Sequence, residues 1–271
     1  MKLVIRNKNL LKKYALEYNE KRYLSNKLVG ELNKNTKIGI EYLGRNITFK
    51  VLNDIMGNDS SEYEKLLELA EKALNNIKFT TDSSGKINKV RNMDEILSKW
   101  NSIKSASLGD VLDRKLKNFA FEISKILSNE SKLTSLVKEY NIIPYIFLGL
   151  YEKNYSDNLP VMISTEFRNL FSQMAIPVKL ELYGKESNKN HLILSFVGRE
   201  LQSFDRFSYM DDIVRVYPEL KHYYADDFTM KMKGFYIYER ENSLLSNFEI
   251  NIEIKVKKEF IGEIKYILKE E

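Results

Sequence analysis

The stretch Phe248-Glu249-Ile250-Asn251-Ile252-Glu253-Ile254-Lys255-Val256 decides the fold class. Apolar side chains fill every second position, and charged or amide side chains fill the positions between. That is the period of a strand with one packed face and one wet face. Antiparallel sheets open one face to water in this way, whereas the strands of a parallel sheet buried on both faces read as unbroken apolar runs.

Outward from this strand, three further segments alternate around turn signals and predict β-hairpins. Val178, Leu180 and Leu182 lead through the polar loop 184–190 to Leu192, Leu194 and Phe196. Ile38, Ile40 and Tyr42 lead through Gly44-Arg45-Asn46 to Ile47, Phe49 and Val51. Ile77-Lys78-Phe79-Thr80-Thr81 leads through Asp82-Ser83-Ser84-Gly85 to Lys86-Ile87-Asn88-Lys89-Val90.

Helical spacing of apolar residues predicts helices over 5–19 (Leu10, Leu11, Tyr14, Ala15, Tyr18), 60–77 after a cap at Ser60 or Ser61, and 93–103. A longer helical run covers 109–140, with a break near Asn129, and a further helix is expected at 163–174. The order is then β-β-α-β-β-α over 37–104 and β-β-α-β-β-β over 177–268. Residue identity between the two is too slight to establish a repeat. The expected class is α+β, with antiparallel sheets from β-hairpins in two halves separated by a central helical block. The corresponding division is 1–106, an N-terminal α+β half; 107–175, the helical block; and 176–271, a β-rich C-terminal half.

Composition excludes several function classes. With 43% hydrophobic and 12% aromatic residues and only 4 Pro in 271, the chain has ample material for a packed core. Cysteine is absent, which removes disulfides, thiolate nucleophiles and the common structural zinc sites. The longest apolar run, 142–151, has about half the roughly 20 residues of a membrane helix and reads as a buried core segment. Charged Lys2 and Arg6 and the polar Asn7-Lys8-Asn9 leave no room for a secretory apolar region, so a cytoplasmic protein away from membranes is expected. Only ten of the 43 basic residues are Arg, and 38 acidic residues nearly balance them. Lysine is a hydrated point charge rather than a planar fork, so the surface reads as lysine-solvated. Nucleic-acid binding through lysine-rich strands such as Lys255-Val256-Lys257-Lys258 is an alternative that is not favoured.

Two acidic pairs stand out. Tyr209-Met210-Asp211-Asp212 resembles the paired-carboxylate signature of reverse transcriptases, whose aspartates hold divalent metals. The same spacing recurs at Tyr224-Ala225-Asp226-Asp227, and no upstream strand offers a matching aspartate in a polymerase framework. Asp211, Asp212, Asp226 and Asp227 form the candidate metal set of an alternative reading, an enzyme or carrier with a pocket between the halves that uses His222. No phosphate-cradling glycine loop and no nucleophile elbow occur. No catalytic residue and no cofactor are assigned.

The aromatic stretch 204–238, interleaved with Arg206, Lys231 and Lys233, is where a binding surface is expected. Tyr209, Tyr223, Tyr224, Tyr236, Lys231 and Lys233 are its candidate residues. The leading expectation is a non-catalytic binding or scaffolding protein that presents an aromatic-rich sheet to a protein partner, or associates with itself through strand edges.

Overall fold

A computed structural model describes residues 2–6, 9–53, 62–107, 114–187 and 190–271, with the side chains of 62–64 left out. Eleven strands follow the chain as β1 (Asn9–Leu24), β2 (Lys27–Leu43), β3 (Asn46–Asn53), β4 (Asn76–Thr81), β5 (Ile87–Val90), β6 (Val161–Phe167), β7 (Ile176–Ser187), β8 (His191–Glu200), β9 (Phe228–Glu239), β10 (Leu245–Val256) and β11 (Phe260–Glu270). The helices are α1 (Glu62–Ala73), α2 (Met93–Ser107), α3 (Arg114–Leu127), α4 (Glu130–Glu139), the single turn α5 (Ile143–Ile146) and α6 (Arg206–Val216). The strands hydrogen-bond in one antiparallel order, β5-β4-β3-β2-β1-β11-β10-β9-β8-β7-β6. The sequence predicts separate sheets for two halves; a single sheet replaces them, because β1 supplies the pairing between β2 and β11.

Two expected helices are strands. Over 5–19 the stripe Leu10, Leu11, Tyr14, Ala15, Tyr18 also satisfies a helical spacing, but Leu11 is 58% exposed while Tyr14 and Leu16 are buried. The period of two governs because β1 has a neighbour on each side to satisfy its backbone. Residues 163–174 diverge in the same way: β6 runs antiparallel to β7 from Val161↔Leu182 to Phe167↔Ile176, burying Ile163 and Phe167. A tight turn that composition does not announce joins β1 to β2, with Ser25 and Asn26 both in the left-handed region, the signature of a two-residue hairpin.

The chain divides into two compact units. The first comprises Met1–Val4, Ala15–Asn35 and Tyr151–Glu271; the second comprises Ile5–Tyr14 and Thr36–Leu150. In the second unit the hairpins β2–β3 and β4–β5 form with the expected turns, Tyr42 opposite Ile47 and Phe79 opposite Val90. Leu66 and Ala73 of α1 are buried, while Ile77 belongs to β4 rather than to the helix. The expected caps Ser60 and Ser61 lie outside the described residues. Asn129 both ends the long helical run and restarts it, its side chain accepting from the Lys132 amide at 3.0 Å. Trp100 is fully buried and donates from Nε1 to the Ser124 hydroxyl at 2.8 Å, tying α2 to α3. The apolar run after α4 is core, as expected: Ile142, Ile143, Leu148 and Leu150 are buried, and Phe147 meets Phe79 edge to face at 5.0 Å.

In the first unit β6–β11 carry the predicted order β7-β8-α6-β9-β10-β11. Phe248, Ile250, Ile252, Ile254 and Val256 are all buried on one face of β10, as the alternation requires. Tyr209, Met210 and Ile213 of α6 are buried as well, and Phe204, Tyr209 and Phe228 form a ring triangle with centroids 4.9–5.5 Å apart. A half-buried polar cluster borders this core, with Glu20 at its buried centre. Glu20 accepts from the Tyr18 hydroxyl and from Arg22 Nε, and Arg22 also lies 5.6 Å from the centre of the Phe171 ring. Burial pushes the Tyr18 hydroxyl well above the ordinary phenol range, so it stays a donor. Every charge in the cluster has a partner, as burial demands.

Candidate functional site

The expected binding residues separate onto different surfaces. Strand β9 places Phe228, Met230, Met232, Tyr236 and Tyr238 on the packed face and Lys231 and Lys233 on the open face. Tyr236 is fully buried among Phe196, Tyr238 and Phe248, and burial drives its hydroxyl far above the ordinary range. Tyr209 is fully buried too, its hydroxyl donating to the Leu170 carbonyl. These two tyrosines are core residues and cannot present a binding surface. Composition marked them because aromatics serve cores and interfaces alike. Tyr223 packs beneath Lys257 and hydrogen-bonds Glu259. Tyr224 is 74% exposed, and Phe207 is 73% exposed.

Replacing Tyr209 by Phe therefore tests a core position. It leaves the Leu170 carbonyl unsatisfied and is expected to cost about 1–2 kcal/mol of stability, read as a lowered urea midpoint. Any ligand binding at Lys231 should be unchanged.

The acidic pairs serve local structure. Asp212 accepts from the Ser172 hydroxyl at 3.0 Å and faces Arg215 at 3.4 Å. Asp227 accepts from the Tyr224 amide at 2.9 Å and pairs with Lys257 at 3.0 Å. The Tyr224 amide first, and then Lys257, hold its carboxyl below the usual carboxylate range. Asp211, Asp226 and His222 are exposed. Among the described residues no group of three or more His, Asp or Glu is placed to hold a metal ion.

The open face of the first unit is the more informative surface. Register sets its side chains in rows that cross the strands. One row runs Ser164, Lys179, Arg199, Lys231, Glu253, Glu263 over β6 to β11. The adjacent row runs Met162, Glu181, Val197, Lys233, Asn251, Lys265. Three cations thus stand side by side on β7, β8 and β9, each about 4.8 Å from the next along the hydrogen-bonding direction.

Four other cations on this face are paired, Lys21 with Glu31 at 3.7 Å, Lys255 with Glu253 at 2.8 Å, Lys265 with Glu249 at 3.0 Å and Lys269 with Glu17 at 3.5 Å, while Lys185 stands apart near the end of β7. Lys179, Arg199, Lys231 and Lys233 are exposed, and among the described residues their side chains have no ion-pair or hydrogen-bond partner. Like charges directly opposite one another destabilise a sheet. Folding gains little from the adjacent cations Lys179, Arg199 and Lys231, of which only Lys231 has an opposite charge, Glu253, beside it in register, so a functional constraint is legible there.

Two depressions meet at the row. One, of about 1030 Å³, runs over β8, β9, β10, β11, β1 and β2 and includes Arg199, Lys231 and Lys233 in its lining. The other, of about 680 Å³, covers β7 and β8 and the residues that follow, from Lys179 to Ser203. They share Val197, Gly198 and Arg199. Sequence reasoning found Lys231 and Lys233 but missed Lys179 and Arg199, which are 20 residues apart and adjacent only through the β7–β8 register. Parity was the available signal, since both occupy the wet positions of the predicted third hairpin. The lysine-rich run 255–258 is largely spent: Lys255 and Lys257 are already paired. Arg206 also has a partner, Glu200 at 3.0 Å.

Among the described residues no helix is long and apolar enough to cross a membrane. No family model matches the sequence, and no curated protein matches it. Among solved structures, the chain is similar to one from a study of lipid–protein interactions in lipovitellin, at 8% identity and a TM-score of 0.46. That alignment covers 98% of this chain and 25% of the other, so the chain spans about a quarter of the length of the protein it matches.

Proposed function

We propose that this is a non-catalytic binding protein whose open sheet face in the first unit receives an acidic protein partner. Its setting is the cytoplasm, a compartment that the cysteine-free composition suits. The observation that carries this reading is that Lys179, Arg199 and Lys231 stand side by side without an ion pair among the described residues, while Lys255 and Lys265 on the same face are paired. A partner's carboxylates would relieve the repulsion that the free protein tolerates.

A protein suits the face better than a nucleic acid does. Glu181, Glu253 and Glu263 adjoin the cations in the same two rows, and Val197 and Met162, each 47% exposed, add apolar contact. A polyphosphate backbone carries one sign of charge throughout and would meet those carboxylates; a protein surface can alternate sign to match.

Fluorescence anisotropy with labelled poly-glutamate and with an oligothymidylate of similar length tests this directly. The expected result is binding of poly-glutamate that weakens on the order of tenfold between roughly 50 and 300 mM salt. Tighter binding of the oligothymidylate, or no binding of the acidic chain at low salt, would overturn the reading.

A further inference from the structure

We infer that the partner presents an α-helix laid across the strands, with acidic residues over β7–β9 and basic residues over β10 and β11. This rests on the acidic-partner reading of the same face and adds its shape and its charge order.

Spacing supplies the first argument. From Lys179 to Lys231 the row crosses two strand intervals, about 9.6 Å. On a helix, residues i and i+7 lie about 10.5 Å apart along one stripe, with i+3 or i+4 between them, so three acidic side chains on one face fall opposite the three cations. An extended segment repeats on one face every two residues, about 6.7 Å, and drifts out of step by the third charge.

Charge order supplies the second. Read from β7 to β11, the row is Lys179, Arg199, Lys231, Glu253, Glu263: three cations and then two carboxylates. Its complement is three acids followed by two bases. A helix can meet this order running either way, because turning it end for end in the plane of the sheet restores the match; what the face selects is segregation of acids from bases along one stripe of the helix. Among the described residues Glu263 has no side-chain partner and can take a cation; Glu253 would exchange Lys255 for one.

Depth supplies the third. The two depressions join along this line at Val197, Gly198 and Arg199. Gly198 has its Cα on the packed side, and Val197 gives the helix a small apolar contact in the adjacent row.

The test uses the whole protein and two Ala-based peptides of about 20 residues with identical composition, fluorescently labelled and end-capped. One carries Glu at i, i+4 and i+7 and Lys at i+11 and i+14; the other carries the same five residues at the same positions with Glu and Lys alternating. The expected result is that the segregated peptide binds at least tenfold tighter, and gains helicity by circular dichroism when bound. A protein variant with the three cations inverted, K179E/R199E/K231E, is expected to lose that preference. All three positions are exposed on the open face, and unchanged far-ultraviolet circular dichroism reports that the variant folds.

Equal affinity of the wild type for both peptides, with poly-glutamate bound as well, would overturn the helical inference and leave the acidic-partner reading standing. Failure to bind either peptide or poly-glutamate would overturn both.

Discussion

The triple variant K179Q/R199Q/K231Q is expected to lose affinity for an acidic polypeptide on the order of 100-fold, while its melting temperature stays level or rises by about 1–3 °C. The two halves of this result come from the same geometry. Each substitution removes one charge that a partner's carboxylate would meet. Three such losses, at roughly fivefold each, compound to about that figure.

In the free protein the same substitutions abolish two like-charge neighbours, Lys179 beside Arg199 and Arg199 beside Lys231, and one opposite-charge neighbour, Lys231 beside Glu253. Relief of a like-charge cross-strand pair contributes roughly 0.2–1 kcal/mol. Among the described residues none of the three side chains has an ion pair to lose. Differential scanning calorimetry beside the anisotropy titration separates the outcomes. Weaker binding together with a substantially lower melting temperature would mean that the row holds the sheet together and that lost binding reports lost fold. Unchanged binding would place the acidic-ligand site elsewhere. As an internal control, K265Q breaks the pair with Glu249 at 3.0 Å and is expected to change affinity less than any one of the three.

The sequence was legible wherever periodicity and turn chemistry acted locally. Alternation placed β10, and Gly44-Arg45-Asn46 and Asp82-Ser83-Ser84-Gly85 placed two turns, because their residue types fix the backbone within a few positions. Long-range pairing was not legible. Leu10, Leu11, Tyr14, Ala15 and Tyr18 satisfy a helical stripe as well as a strand, and only the presence of β2 and β11 on either side selects the strand. The site obeys the same division. Lys231 and Lys233 drew attention through local composition, yet the same composition drew Tyr209 and Tyr236, which lie in the core. Lys179 and Arg199 lie in unremarkable local sequence; a register fixed by hydrogen bonds makes them neighbours.

Gly234→Ala is expected to be among the most destabilising single-methyl changes in the chain, by roughly 3–5 kcal/mol, because the obstacle is main chain. Gly234 lies mid-strand in β9, paired with Phe196 on one side and Ile250 on the other. A Cβ built there would stand 2.0 Å from the Glu249 carbonyl oxygen and 3.0 Å from its carbonyl carbon. No rotamer change can relieve that contact: β9 and β10 must separate locally, disturbing a ladder that supports Tyr236 and Phe248.

Gly198→Ala provides the comparison. Its Cβ would meet Leu180 Cδ2 at 2.6 Å, Met232 Cβ at 3.2 Å and Val178 Cγ1 at 3.2 Å, side-chain atoms of which the closest ends a flexible chain. That change is expected to cost roughly 1–3 kcal/mol and to be partly restored by Leu180→Val, which withdraws the colliding methyl. Phe196→Leu should not restore Gly234→Ala, because Phe196 is not what the methyl strikes first. Urea unfolding of the four variants checks the order. Equal costs at the two glycines, or rescue of Gly234→Ala by Phe196→Leu, would mean that side-chain packing rather than the approach of the β10 backbone keeps Gly234 free of a side chain.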